Sequence, residues 1–231
     1  MVANMNLPHS LIQRPAIRHV LVVGLSACLI WAFSLVHAQW HPMHRWNRAF
    51  GDAAMLLLAI TMLLGPLSVL VQRWRSVVIW RRQFGIWSML LALIHLVIIL
   101  DGWVEWDLIQ LFGYQFIPQF GRYVMHQQGF GLANSIGLLA LVFGFLLLLT
   151  SSDRAIRWLS APAWQTLHQG VVVFWWLVVA HVGYFLFLHF LDIRRPMMEP
   201  NPLQWPFVFM VLGVVVIRIA AFVAVWRRRA A

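Results

Sequence analysis

Lysine is absent from these 231 residues, acids number only seven, and there is a single cysteine. Each shortage excludes something. Charged residues make up 10% of the chain, too few to wet the surface of a soluble domain this long. The lone thiol, Cys28, cannot close an intrachain disulfide. No Cys-x-x-Cys-His stretch is present to tether a haem covalently, so any haem would be held by ligation and packing alone. The apolar runs hold no chain of carboxylates of the kind a proton channel needs: Asp52 and Asp101 fall at run ends and Asp192 just beyond one.

What is abundant is apolar. Hydrophobic residues reach 62%, with fourteen Trp and sixteen Phe, and mean hydropathy is +0.79. Aromatics at this density suit a bilayer protein, whose interfaces they crowd. Backbone polar groups in hydrocarbon must pair within their own segment, so long apolar runs become helices. Six runs are long enough, at roughly 19–39, 50–71, 84–101, 131–150, 167–191 and 205–226, of which the third is the shortest. The expectation is an all-α polytopic bundle of six transmembrane helices forming one domain over 1–231, with no internal repeat. The first run is taken as a retained helix, because no small-residue cleavage site follows it. The connection at 102–130 holds Trp103, Trp106, Tyr114, Phe116, Phe120, Glu105, Asp107 and Arg122, and is expected to be an amphipathic interfacial segment capping one side of the bundle.

A net charge of +10 carried by arginine alone raises the question of nucleic acid. The arginines sit between apolar runs, which makes them topology signals and argues against a nucleic-acid partner. Eleven fall on one side: Arg14, Arg18, Arg73, Arg75, Arg81, Arg82, Arg154, Arg157 and Arg227 to Arg229. Five fall on the other: Arg45, Arg48, Arg122, Arg194 and Arg195. Positive-inside then puts both termini in the cytoplasm of a bacterial inner membrane.

Histidines carry the chemistry. His95 lies in the third run, and His168 and His181 in the fifth. Thirteen residues separate Arg82 from His95, and thirteen separate His168 from His181. Each interval is a climb of about 20 Å along a helix. If Arg82 and His168 start at one depth, His95 and His181 finish at one depth, as axial ligation of a haem iron requires. A helix-to-helix hydrogen bond is the competing role for an intramembrane histidine, with even standing for His95 alone. Thirteen residues also turn a helix to about 140° from the starting face. Either the fifth helix has a local bulge, or His168 serves a neighbour different from that of His181; the second option fits one haem at His95 and His181. His168 follows polar Gln165 and Thr166, so an interfacial helix start is its alternative, and His189 is placed at the interface. His37, His41 and His44 lack a nearby acid or thiol and are taken as loop residues before a metal site. At the inner level, Arg75, Arg81 and Arg82, with Trp164 and Gln165, could hold a flavin phosphate, a haem propionate or a quinone oxygen; anchoring to lipid headgroups is as good an account of any one arginine.

These residues carry a resemblance. RRQFGIWSMLLALIH (Arg81 to His95) resembles the Arg-Arg-x-x-Gly-(x)9-His block of the ferric-reductase-like transmembrane superfamily. WQTLH through to His181 is similar to its Trp-Gln-x-Leu-His-(x)12-His block. Gly65 to Leu67 and Gly51 resemble features of its second helix. The likeness covers about 50–191 and extends to the haem-binding membrane subunit of periplasmic methionine sulfoxide reductase systems. It implies haem b on His95 and His181, with His168 the third family histidine. It implies FMN or quinone use at the cytoplasmic side and outward electron passage to a periplasmic molybdopterin-dependent partner. Related oxidases carry a second histidine where Arg82 stands, which disfavours a second haem. No nucleotide-binding domain follows the bundle, so electrons are expected from a flavin reductase or the quinol pool. The competing class is a cofactor-free membrane assembly or transport protein with histidines as helix glue.

Overall fold

The computed structural model describes residues 14–126, 128–189 and 201–230. Asp192, Arg194, Arg195 and the last two residues of the expected fifth run lie outside the described residues. Helix α1 spans Pro15–Val36 and α2 Pro42–Leu70. A 3-10 helix at Gln72–Trp80 leads into α3, Arg81–Gly102. Then come α4 (Gln128–Leu149), α5 (Asp153–Leu159), α6 (Ala161–Gln169), α7 (Val171–Gly183) and α8 (Gln204–Ala230). Among the described residues six helices are long and apolar enough to cross a membrane, α6 and α7 counting with the following turn as one span. The chain is a multi-pass membrane protein.

The apolar runs placed the spans correctly and their ends less well. Helices α1 and α2 begin at Pro15 and Pro42, four and eight residues before the expected starts. Proline suits a first helical turn, where its missing N–H would have no partner, and polar residues such as Arg45 and Asn47 continue the helix beyond the hydrophobic stretch. The fifth span is interrupted. Gly170 separates α6 from α7, and a π-helical turn at Tyr184–Leu188 follows α7.

Helix α2 is the centre of the bundle, packing on α1, α3 and α8, while α4 packs on α7. Its small residues Ala49, Ala53, Ala54 and Ala59 are buried and let neighbouring backbones approach. Met55, Leu58 and Met62 meet Met89 of α3, Ala140 of α4, Phe174 and Trp175 of α7 and Val214 of α8 in one apolar core.

The connection after α3, expected as an amphipathic interfacial segment, is built from regular elements. It holds a short 3-10 helix, Leu108–Phe112, and an antiparallel hairpin of β1 (Tyr114–Ile117) and β2 (Arg122–Met125). Alternation along paired strands puts Tyr114, Phe116, Tyr123 and Met125 on one face and Gln115 and Arg122 on the other. Tyr123 donates its hydroxyl to Asp107 at 2.8 Å, and that hydrogen bond holds the phenol above the usual tyrosine range. The 3-10 helix seats against α4 because residue 131 is glycine; a Cβ there would collide with the Phe112 carbonyl. Asn134 fixes the seat by donating to the Leu111 carbonyl at 2.9 Å.

Candidate functional site

A cavity of about 560 Å3 lies between α2, α3, α4 and α7, closed at one end by Leu111, Trp103 and Phe130. That volume falls within the ~300–1,000 Å3 of small-molecule and cofactor sites. His95 and His181 both line it. They are held in matching ways. His95 donates its Nδ1–H to the Asn47 carbonyl at 2.9 Å, and His181 donates its Nδ1–H to the Ala133 carbonyl at 2.8 Å. In both cases the acceptor lies 48 residues before the histidine. Asn47 is five residues into α2 and Ala133 five residues into α4, so each ring is tied at the same offset from the start of the helix it leans on.

The carbonyls are reachable because each ring lies over a glycine. A Cβ at Gly51 would come within 3.2 Å of His95 Nδ1, and one at Gly137 within 2.6 Å of His181 Nδ1. With Nδ1 protonated and engaged, Nε2 keeps its lone pair. Neither Nε2 has a hydrogen-bond partner among the described residues.

Sequence reasoning named both histidines and Gly51 but missed Gly137, Asn47 and Ala133. Gly51 and His95 recur 86 residues on as Gly137 and His181, and the Asn47 carbonyl recurs as that of Ala133.

His168 lies elsewhere and does not line the cavity. Its Nε2 is 3.1 Å from Thr150 Oγ1, and its ring stacks on Trp164 at 4.1 Å between centroids. Thr150 spends its own hydrogen on the Leu146 carbonyl at 2.7 Å, so His168 is the donor to it. Trp164 donates to the Thr150 carbonyl at 2.8 Å. Arg82 reaches the same stretch, bonding the Ser151 carbonyl and Asp153, the latter at 2.8 Å. Arg82 and His168 thus reach one stretch, Thr150 to Asp153, and the two histidines of the fifth span have different neighbours. Gln165 and Arg75 are exposed and join neither group.

His37, His41 and His44 are not loop residues as a set. His37 caps the C-terminus of α1, His41 the N-terminus of α2, and His44 lies within α2. Among the described residues no three His, Cys, Asp or Glu side chains gather as a metal set. His37 is 1% exposed and donates from Nε2 to Asp52 at 2.7 Å on the cavity wall. Asp52→Asn weakens this bond and leaves a buried ring poorly satisfied. The expected loss is about 1–3 kcal/mol, read as a lower thermal unfolding midpoint in detergent; an unchanged midpoint contradicts it. His189, expected at the interface, also lines the cavity, packed against Phe130 and Phe185 at 5.6 and 5.2 Å. The π-helical turn places it there, a feature no periodicity announces.

Residues 50–179 match the family described as ferric reductase like transmembrane component. No curated protein matches the chain. The matched stretch contains Gly51, His95, Gly137 and His168, and ends two residues short of His181. It covers more than half of the sequence, from the glycine under one histidine nearly to the other, and the protein belongs to the ferric reductase-like transmembrane family of membrane electron-transfer components.

Proposed function

We propose that this chain is a haem b-carrying electron-transfer subunit in which the imidazoles of His95 and His181 would hold the iron. The observation that supports it most is the matched pair of clamps, glycine below and carbonyl beside, that orients two rings at one height on one cavity. The donor set suits iron porphyrin: two imidazoles with free Nε2 lone pairs and a wall that is mainly apolar. When bound, the group supplies a one-electron couple. The chain's own part is to fix the ring tautomer, exclude water through the Met55, Leu58 and Phe174 side of the wall, and set a polar region with Asp52, His44 and Asn47 at the other side.

On this reading electrons enter at the arginine-rich end near Arg81, Arg82, Trp164 and His168. The donor is a quinol or a flavin such as FMN, with Arg75 and Gln165 as outlying contacts. They leave at the end of the cavity capped by the hairpin connection. With positive-inside orientation that end is periplasmic, and a molybdopterin-dependent reductase repairing methionine sulfoxide is the partner that the sequence resemblance suggests.

An absorbance spectrum with a pyridine haemochrome assay on detergent-purified protein tests the proposal. A b-type spectrum at about one haem per chain supports it; a colourless, folded protein returns the cofactor-free class. His168→Ala is expected to keep the full haem content, because Thr150 and Trp164 hold that ring apart from the cavity. Loss of the band in this variant would reassign the ligands.

A further inference from the structure

The connection between α3 and α4 is anchored from below and bare above. Val104 and Leu111 are buried at the end of the bundle. The Leu111 carbonyl accepts from Asn134, and the Phe112 carbonyl fills the notch at Gly131. Gly131 and Asn134 stand about 4–9 Å in from the start of α4. Leu132, between them on a membrane-spanning helix, is 66% exposed and so faces lipid. The 3-10 helix Leu108–Phe112 is therefore seated at the level where the span meets the edge of the bilayer, and its Leu108, Ile109 and Phe112 are exposed there.

The hairpin continues this surface. Its face of Tyr114, Phe116, Tyr123 and Met125 is exposed along its whole length, and the Phe116 and Tyr123 rings meet edge-on at 5.3 Å. Tyr123 reaches Asp107, the N-cap of the 3-10 helix, so the aromatic face and that helix are joined by a hydrogen bond. At the other end the His126 N–H donates to the Gly113 carbonyl at 2.9 Å, closing the hairpin back onto its base. Trp106, 60% exposed, stands beside it and donates to Asp101 at the end of α3. Exposed apolar side chains this closely grouped do not stay in water without a partner.

We infer that this aromatic face docks on the headgroup layer of the same bilayer that the helices span, with the opposite face, which carries Gln115 and Arg122, turned to water. The surface is continuous with the lipid-facing wall of α4, and the connection leaves and re-enters the membrane at Gly102 and Gln128, which keeps the short hairpin within reach of the interface. Its residues are of the kind that interface favours: Tyr and Trp place an apolar ring in the lipid and a polar tip in the headgroups. Paired strands leave no backbone group inside the sheet to be solvated, and alternation divides the hairpin into a lipid side and a water side. Because Leu111 closes one end of the cavity, the bilayer then holds the cap from outside while Asn134 holds it from within. The inference does not rest on the haem proposal, and its test reads the hairpin whether or not haem is bound.

Site-directed spin labelling tests it on the full-length protein in nanodiscs of phosphatidylcholine with phosphatidylglycerol. Cys28, exposed on α1, is first replaced in Cys28→Ser, and single labels are then placed at Phe116→Cys and Met125→Cys on one face and Gln115→Cys and Arg122→Cys on the other. Collision with a water-borne nickel chelate is expected to be at least about fivefold lower at 116 and 125 than at 115 and 122, because apolar surroundings exclude a polar complex. Collision with oxygen, which concentrates in lipid, runs the other way. Should a labelled variant fold poorly, hydroxyl-radical footprinting of the unaltered protein in the same nanodiscs reads the same contrast, with Phe116, Tyr123 and Met125 protected and Gln115 and Arg122 open. Water-type accessibility at 116 and 125 overturns the inference and leaves the face to a soluble partner; equal accessibility on the two faces overturns it as well.

Discussion

His95→Ala and His181→Ala each abolish the reduced haem band of the purified protein, while its helical content survives. The expectation is all-or-none because the cavity wall is mainly apolar and no other imidazole on it is held by a glycine-and-carbonyl clamp. His189 and His44 also line the cavity, but the hydrogen-bonded clamps belong to His95 and His181. On the proposed function, removing one imidazole would take away a group that holds the iron, and it also removes the donor that satisfied the Asn47 or Ala133 carbonyl. That carbonyl still bonds within its own helix, so the penalty on folding stays small, about 1 kcal/mol, while the penalty on haem retention is large. Circular dichroism and size-exclusion behaviour close to the unaltered protein, with haem below detection, is the result that fits. Full haem content in both variants would assign the ligands elsewhere and leave the two clamps as helix-to-helix contacts.

The sequence announced the parts that depend on hydrophobic length and on rare residue types. Six spans followed from runs that hydrocarbon forces into helices, and His95 and His181 stood out because imidazole is scarce in such runs. What it concealed depends on contacts between distant segments. The role of Gly137 is invisible in "NSIGLLAL", where a glycine in a greasy helix reads as a packing concession. Only with α7 beside α4 does it become the gap that admits a ring. The hairpin at 114–125 was hidden because its aromatic alternation spans four residues per strand, too short to separate from an interfacial coil. The pairing of His37 with Asp52 joins a helix end to the next helix across fifteen residues, and no local pattern encodes it.

Gly137→Ala is the second large effect, and it separates a clamp from a mere ligand. The added methyl would stand 2.6 Å from His181 Nδ1 and 2.7 Å from Cε1, distances no packed carbon tolerates. The ring is not a free end that swings aside, because its Nδ1–H is tied to the Ala133 carbonyl one turn earlier on the same helix. Two responses remain: α7 moves off α4, or the ring rotates and gives up the hydrogen bond that fixes its tautomer. Overpacking of this sort costs about 1–3 kcal/mol, and either response takes His181 Nε2 from its position. The expected outcome is a folded protein with a lowered midpoint and haem content reduced at least tenfold. Gly51→Ala is milder, because its methyl would meet His95 at 3.2 Å, a few tenths of an ångström from tolerable contact. Haem content falling further for Gly137→Ala than for Gly51→Ala, with both above the histidine deletions, is the order the geometry requires. Equal haem in Gly137→Ala and the unaltered protein would show that the glycine carries no part in holding the ring.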